Sequence, residues 1–457
     1  MRLIVQKYGG TSVGDSTRIC NVARRILETQ REGCRVVAVI SAMAGVTDSL
    51  IKLAGAVSPQ PTPRELDLLL ATGEHAASAL VAMAVNALGG RAVSMSGAAA
   101  GILTDRVHTK AKIANISPRQ IHYLLNEDYI VVVAGFQGQT NEGETTTLGR
   151  GGSDLTAIAL AGALNADACQ IFTDVDGVFT CDPRLVSEAK KIDEISYDEL
   201  LEMAGAGSKV MQSRAVEFAK KFSVPFEVRS SFHPAAGTLA EEETRHMEDV
   251  VVRGISVDRK QAKLTVDDVS DEPGVAARIF SAIAEANIVV DMIVQSVSEH
   301  GTTDLSFTIH ESDLEAAKKI LTPIVTELKA VQLIAKSGVA KLSVVGIGMR
   351  SHSGVAAKLF DCLGQGGINI QLISTSEIKI AVVINEAEAD QATRLTHEAF
   401  GLARLGAGRD GDLMEGRAQC QSGSDRAQDA QERVPPRLGC SPFFVPLRTG
   451  YFLTGFT

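Results

Sequence analysis

A chain of 457 residues is too long for one compact core and calls for two or three domains. Its formal net charge of -10 argues against nucleic acid or an anionic membrane as the main partner and leaves a small-molecule ligand as the expectation. Hydrophobic residues make up 45% but aromatics only 4%, with no tryptophan, so aliphatic helices packed on sheets must fill the interior, the make-up of α/β layers.

In chain order, short apolar runs alternate with helical patterns: "LIVQKY" then 15–30, "RVVAVIS" then 47–56, "YIVVVAG" then 153–164, "CQIFTD" then 196–220. That βαβ rhythm predicts a mainly parallel sheet covered on both faces, with ligands at the carboxyl ends of the strands. The glycine-bearing polar stretches "KYGGTSVG", "SAMAGVTD", "GFQGQT" and "TDVDGVF" fall at those ends. A polar connection over 231–250 closes this domain, expected to span 1–230. Beyond it, 272–295 align without a gap on 352–375, with seven identities, and each copy follows a similar strand, "AKLTV" or "AKLSV". One strand, glycine turn, helix and strand unit cannot bury its own faces, so two copies are expected to pack together and share a cleft. The expected units are 251–335 and 336–402. From 403 the composition shifts: no lysine follows, prolines crowd in and no period is sustained, so 403–457 reads as a disordered or atypical tail. Its "GAGRDG" (Gly406, Gly408, Gly411) matches GxGxxG only formally, because no strand precedes it and no apolar helix follows.

The seven cysteines (Cys20, Cys34, Cys169, Cys181, Cys362, Cys420, Cys440) form no CxxC pair, which suits neither a disulfide framework nor a zinc site. "MRLIVQKYGG" enters a strand directly, without the apolar stretch of a signal peptide, and no segment holds about 18 uninterrupted apolar residues. A cytoplasmic location is the expectation.

The motifs sort by charge. "KYGGTSVG" puts Lys7 at the end of the first strand before Gly9 and Gly10, either a phosphate cradle or a plain strand-to-helix turn with a solvated lysine. No Walker element occurs. "ATGEH" sets Glu74 in an apolar helix, where an acid is costly unless it meets a cation, from the substrate or from a neighbouring Lys or Arg. "TLGRGGSDLTA" offers Arg150, glycines and a helix start to an anion, though the same letters spell a turn and an N-cap at Ser153 or Asp154. In "IFTDVDGVFTCDPR", Thr173, Asp174, Asp182 and Arg184 bracket a glycine turn, a nucleotide loop or a surface hairpin. "GSKVMQSRAVEFA" places Lys209 at the head of a helix. A cationic set (Lys7, Arg150, Lys209) with acids (Glu74, Asp154) and hydroxyls (Ser41, Thr47, Ser153) on one sheet edge suits phosphoryl transfer, which rests on positioning and charge neutralisation.

These five motifs with "SAMAGVTD", six in chain order and followed by the internal repeat, resemble aspartokinases, of the amino-acid kinase superfamily, with paired C-terminal ACT domains. The resemblance covers 1–402. It implies a three-layer αβα, carbamate kinase-like domain with a mainly parallel central sheet, followed by two ferredoxin-like βαββαβ ACT domains. It implies phosphoryl transfer from ATP to L-aspartate, giving 4-phospho-L-aspartate, the first step toward lysine, threonine and methionine. Lys7, Gly9, Gly10, Ser41, Thr173, Asp174, Phe179, Asp182, Arg184 and Lys209 then line the ATP site, and Thr47, Glu74, Arg150 and Ser153 bind aspartate. Lys7, Asp154 and Lys209 carry catalysis, Asp154 by orienting cations rather than as a base. No metal ligands are expected from the protein, Mg2+ being held through the nucleotide phosphates. Asp271, Ala276, Asp291, Gln295, Asn369, Ser376 and Glu377 match segments that bind effector amino acids, lysine or threonine. Val289 and Gln371 depart from many relatives and leave the effector open. Pairing of ACT domains implies a homodimer or higher oligomer, Met247 offers an internal start for a separate regulatory subunit, and a reading-frame change near 402 would explain the tail. The competing readings are another carboxylate or carbamate kinase of the superfamily and a catalytically silent ACT amino-acid sensor.

Overall fold

The computed structural model describes residues 1–208, 210–242, 251–297, 301–350 and 352–404. Lys209 and nearly all of the atypical tail, including "GAGRDG", lie outside the described residues, as does Met247.

The first half contains, in order, β1 (Leu3–Tyr8), α1 (Ser16–Arg31), β2 (Arg35–Ile40), α2 (Val46–Val57), α3 (Pro63–Ala87), β3 (Ala92–Met95), β4 (Ile102–Thr104), β5 (Ile113–Ile116), α4 (Arg119–Asn126), β6 (Ile130–Ala134), β7 (Gln137–Gln139), β8 (Thr145–Thr147), α5 (Gly152–Ala163), β9 (Ala168–Thr173), β10 (Glu194–Ser196), α6 (Tyr197–Gly205), α7 (Ser213–Phe222), β11 (Phe226–Ser230) and β12 (Thr238–Glu241). Eight strands form one sheet in the order β10-β12-β11-β9-β1-β2-β6-β3. Every pairing but β11 with β12 is parallel. A strand with helices on both faces must be apolar on both. In β2, Val36, Ala38 and Ile40 join the layer of α1 and α3, while Val37 and Val39 join the layer of α4, α5 and α7. Helix α1 shows why the sequence settles this way: Ile19, Val22, Ala23, Ile26 and Leu27 are buried at helical spacing, each large aliphatic contributing about 1.5–3 kcal/mol, and Asp15 caps its start by accepting the Arg18 N–H. A smaller sheet, β5-β4-β7-β8, lies beside the main one. Helix α3 is long and apolar enough to cross a membrane by composition, yet it carries buried Asp67 and Glu74 and half of that window is buried within the domain.

The helical pattern expected over 196–220 is two helices, α6 and α7. The break falls at Gly207, which holds φ 108 and where a Cβ would stand 2.5 Å from the Val257 carbonyl, so only glycine lets that backbone approach. The connection expected over 231–250 likewise contributes β12 to the main sheet, between β10 and β11.

The second half contains β13 (Gly254–Ser270), α8 (Val275–Glu285), β14 (Val290–Val297), β15 (Thr302–His310), α9 (Leu314–Glu327), β16 (Gln332–Val345), α10 (Val355–Gln365), β17 (Leu372–Thr375), β18 (Lys379–Asn385) and α11 (Ala389–Ala399). They form one six-stranded sheet, β14-β15-β13-β16-β18-β17. The two copies are interleaved rather than successive. The front of β13, Gly254–Asp258, pairs with Lys341–Val345, beside β18, whereas its rear, from Gln261, pairs with β15 and with Gln332–Val339. Copy two has no described strand after α11, so the front of β13 supplies its fourth. The outer strands also meet: Met292 and Val294 of β14 share a cluster with Leu372 of β17, Val339, Ala381 and Val383.

Candidate functional site

Tyr8 stands in register with Ile40 and Phe172, and Ile40 with Ala134, so β9, β1, β2 and β6 end level with one another. The loops beginning at Asp174, Gly9, Ser41 and Gly135 therefore start side by side, within roughly 15 Å at the usual strand spacing. The Gly9 N–H donates to the Phe172 carbonyl at 3.2 Å and the Ser41 N–H to Tyr8 at 3.1 Å, which ties these loop starts together. At Gly10 a Cβ would lie 2.8 Å from the Ala42 carbonyl, so the first loop can close on the second only with glycine there.

Lys7 turns from β1 toward α5 and pairs with Asp154, Nζ to Oδ1 at 2.6 Å, both side chains nearly buried. Arg150 is exposed just ahead of α5, whose N-cap Gly151 is left-handed at φ 73, and among the described residues it makes no ion pair. Ser153 packs against Gly135, where a Cβ would fall 2.8 Å from its Oγ. Thr47 lies in the first turn of α2, behind Gly45 at φ 78. Two helix starts without a side-chain cap thus lie near the same sheet edge, a local arrangement that favours anions. Glu74 is 4% exposed; one oxygen accepts the Ala42 N–H at 3.1 Å and the other is buried without a hydrogen bond. No described Lys or Arg pairs with it, and burial pushes its carboxyl up to about 7 despite the Ala42 bond. The neighbouring-cation reading of Glu74 is therefore set aside among the described residues.

On the other side of Gly9, Ser231 donates its N–H to Thr173 at 2.8 Å and shares a 2.5 Å hydroxyl contact with Ser12. Thr173 Oγ1 donates to Asp174 at 3.2 Å. Further along, Arg184 grips Asp182 with two nitrogens, at 3.0 and 2.7 Å, on an exposed segment, and Phe179 bridges to Lys191. Thr180 anchors this segment to the second half: its carbonyl accepts the Ile255 N–H at 2.7 Å and its hydroxyl meets His397 Nε2 at 3.0 Å.

In the second half, Asp271 donates its N–H to Gly301 at 3.0 Å, just before α8, and Ala276 lies in the first turn of that helix. Asp291 and Gln295 are on β14, Asn369 precedes β17, and Ser376 and Glu377 form the turn after it; β14 and β17 meet through Met292, Val294 and Leu372. The seven expected effector residues are not gathered at one point: Asp271 and Ala276 lie at the Ser270 end of β13, whereas the Ser376–Glu377 turn lies beside Lys379, which is in register with Val345 and so with Gly254 at the other end of that strand. Asp291 pairs with Lys341, which is 2% exposed and whose ammonium also lies 3.5 Å from the Gly205 carbonyl of α6. Helix α6 is held further by Glu202 to Lys379 at 2.7 Å and by Glu199, which accepts the Ile347 N–H at 3.2 Å and faces Arg253 at 3.4 Å. Sequence reasoning missed Lys341 because it is one letter of a strand. Asp291→Ala strips a buried ammonium of its counter-charge. Allowing for the one-third exposure of the Asp291 side chain, the expected loss is about 2 kcal/mol, read as a fall of several degrees in melting temperature, with Lys341→Met restoring most of it.

The amino acid kinase family model matches residues 2–230, and an ACT domain model matches 266–322 and 342–400. An aspartate kinase of Pseudomonas fluorescens (strain SBW25) is 52% identical over 405 residues, 88% of this chain and 98% of that protein. The chain belongs to the aspartokinase family and is an aspartate kinase. The aspartokinase of Mycolicibacterium smegmatis is 48% identical over 407 residues, 88% of this chain and 97% of that one. Among solved structures, E. coli aspartokinase III in complex with aspartate and ADP (R-state) superposes with a TM-score of 0.74 at 28% identity, covering 87% of this chain and 99% of that one. The same E. coli enzyme with lysine and aspartate (T-state) gives 0.69. The αβα domain with its mainly parallel sheet and the paired ACT units are therefore the aspartokinase architecture.

Proposed function

We propose that ATP and L-aspartate meet at the carboxyl edge of β9, β1, β2 and β6, and that the γ-phosphoryl passes to the aspartate side-chain carboxylate. The observation that carries this reading is the Lys7–Asp154 pair, which holds an ammonium where the glycine loop after β1 adjoins the start of α5. Gly9, Gly10 and Ser41 take the phosphates, with Thr173, Asp174, Phe179, Asp182, Arg184 and Lys209 on the nucleotide side. Arg150 forks onto the α-carboxylate, Thr47 and Ser153 add hydroxyls, and Glu74 receives the α-ammonium. The attacking carboxylate has an ordinary pKa of about 3.9 and is ionised at neutral pH, so no base is needed. One carboxylate oxygen bonds to the γ-phosphorus, the bond from that phosphorus to the bridging oxygen breaks, and ADP leaves with the electron pair. Repulsion between the acid and the polyphosphate is the obstacle, and Lys7, oriented by Asp154, relieves it. Mg2+, when bound, would be carried on the phosphate oxygens of the nucleotide, where it would offset part of their charge.

We infer regulation by lysine or threonine at the ACT pair, with Asp271, Ala276, Asp291, Gln295, Asn369, Ser376 and Glu377 as candidate effector contacts; the lysine complex of E. coli aspartokinase III supports the lysine part of this reading. A cytoplasmic homodimer or higher oligomer at the head of lysine, threonine and methionine synthesis completes the reading. The test is aspartate- and ATP-dependent formation of a hydroxylamine-trappable acyl phosphate, repeated with lysine and threonine singly and together. Absence of trapped hydroxamate contradicts the reaction, and indifference to both amino acids contradicts the regulation.

Glu74 makes a pH prediction. Its native pKa lies above the ordinary carboxylate value, so the cost of ionising it grows as pH rises from about 4.5 to about 7 and is constant above. Only the ionised form pairs with an ammonium. KM for aspartate should therefore fall as pH rises through about 7, and in Glu74→Gln it should be high and flat across the same range.

A further inference from the structure

The loop that carries Arg150 is gripped from two sides by groups that the reaction does not use. Asp67 lies two turns before Glu74 on α3 and has no exposed surface. It accepts the Thr109 N–H on both oxygens at 3.0 Å, the Thr147 hydroxyl at 2.5 Å, and faces His108 Nδ1 at 2.8 Å. These bonds fix the end of β8 and hold Thr109 in the left-handed region at φ 68, where a residue other than glycine stays only if its surroundings require it. From the opposite side, Arg214 of α7 donates to the Leu148 and Ala111 carbonyls, each at 2.6 Å. Ala111 in turn donates its N–H to Thr147 at 2.9 Å, closing the ring of bonds around 147–148. Just past Arg150, the backbone of Gly151 runs so close to Gln212, the N-cap of α7, that a Cβ there would overlap that side chain.

We propose that Asp67 and Arg214 are positioning residues that set where the Arg150 guanidinium stands, and so set the preference for a substrate that carries an α-carboxylate. The inference rests on the reading of Arg150 as the α-carboxylate group. Asp67 is sealed from solvent, and the guanidinium of Arg214 is committed to two carbonyls, so both act through the loop.

The experiment compares aspartate with 3-aminopropanoate, which keeps the reacting carboxylate and the ammonium but lacks the α-carboxylate, measured as a competitor of aspartate in the full-length enzyme. Arg214→Lys keeps the charge and loses the fork; it should raise KM for aspartate about 10- to 100-fold while leaving KM for ATP and the inhibition constant of 3-aminopropanoate within about twofold. Asp67→Asn should behave alike and more weakly. Combining Arg214→Lys with Arg150→Met should add little to the effect of Arg150→Met alone. Equal weakening of both ligands, a shift in KM for ATP, or full additivity overturns the positioning role. If Arg150→Met itself leaves the preference for aspartate over 3-aminopropanoate intact, the reading of Arg150 fails instead, which separates the two outcomes. Melting temperatures report any fold defect, and Arg214→Lys, with its small change in volume, keeps the test available should a larger substitution not fold.

Discussion

Lys7→Ala is expected to lower kcat about 10³-fold, the scale seen when a preorganised charge is removed from an anionic transition state. The fall should lie mainly in kcat, because the ammonium is needed most where the acid and the terminal phosphate approach. The substitution also leaves the nearly buried Asp154 without its 2.6 Å partner, so some stability is lost with it. Lys7→Ala combined with Asp154→Asn removes that stray charge. It should recover the wild-type melting temperature and none of the activity, which separates the catalytic part of the lysine from its structural part. Recovery of activity in the double variant would show that Lys7 serves only to neutralise Asp154.

Arg150 carries the second large effect. Arg150→Met should raise KM for aspartate by two to three orders of magnitude, and Arg150→Lys by about 10- to 100-fold, because an ammonium offers a point charge where a planar fork can bond both carboxylate oxygens. KM for ATP should stay put in both. The residue is exposed and unpaired among the described residues, so neither change should move the melting temperature by more than a degree or so. Steady-state kinetics with each substrate varied in turn checks all of this.

The central sheet was legible because a strand buried on both faces is an unbroken apolar run, as in "RVVAVI" and "IVVVA". β10 and β12, three and four residues long, carry too little pattern to be seen, and the break between α6 and α7 depends on the approach of Val257, some fifty residues away. The interleaving of the ACT units was hidden for a similar reason. The front of β13 pairs with Lys341–Val345, and nothing in "GISVD" announces so distant a partner. Within the candidate site, Lys7 and Arg150 stood out because glycines and helix starts adjoin them, and Glu74 because an acid is costly in an apolar helix; the roles proposed for them came from the resemblance. Asp67 did not stand out: in "PRELDLLL" an acid looks like an ordinary polar residue near a helix start, and its partners His108, Thr109 and Thr147 lie 41 to 80 residues away in the chain. Arg214 reads as the polar face of an amphipathic helix, and only the fold aims it at two carbonyls.

The most direct test of the account is a structure of the enzyme with aspartate and a non-hydrolysable ATP analogue. The α-carboxylate is expected on Arg150, the ammonium on Glu74, and Lys7 Nζ between the side-chain carboxylate and the terminal phosphate. Aspartate bound away from the start of α5, or Lys7 in contact with neither ligand, would contradict it.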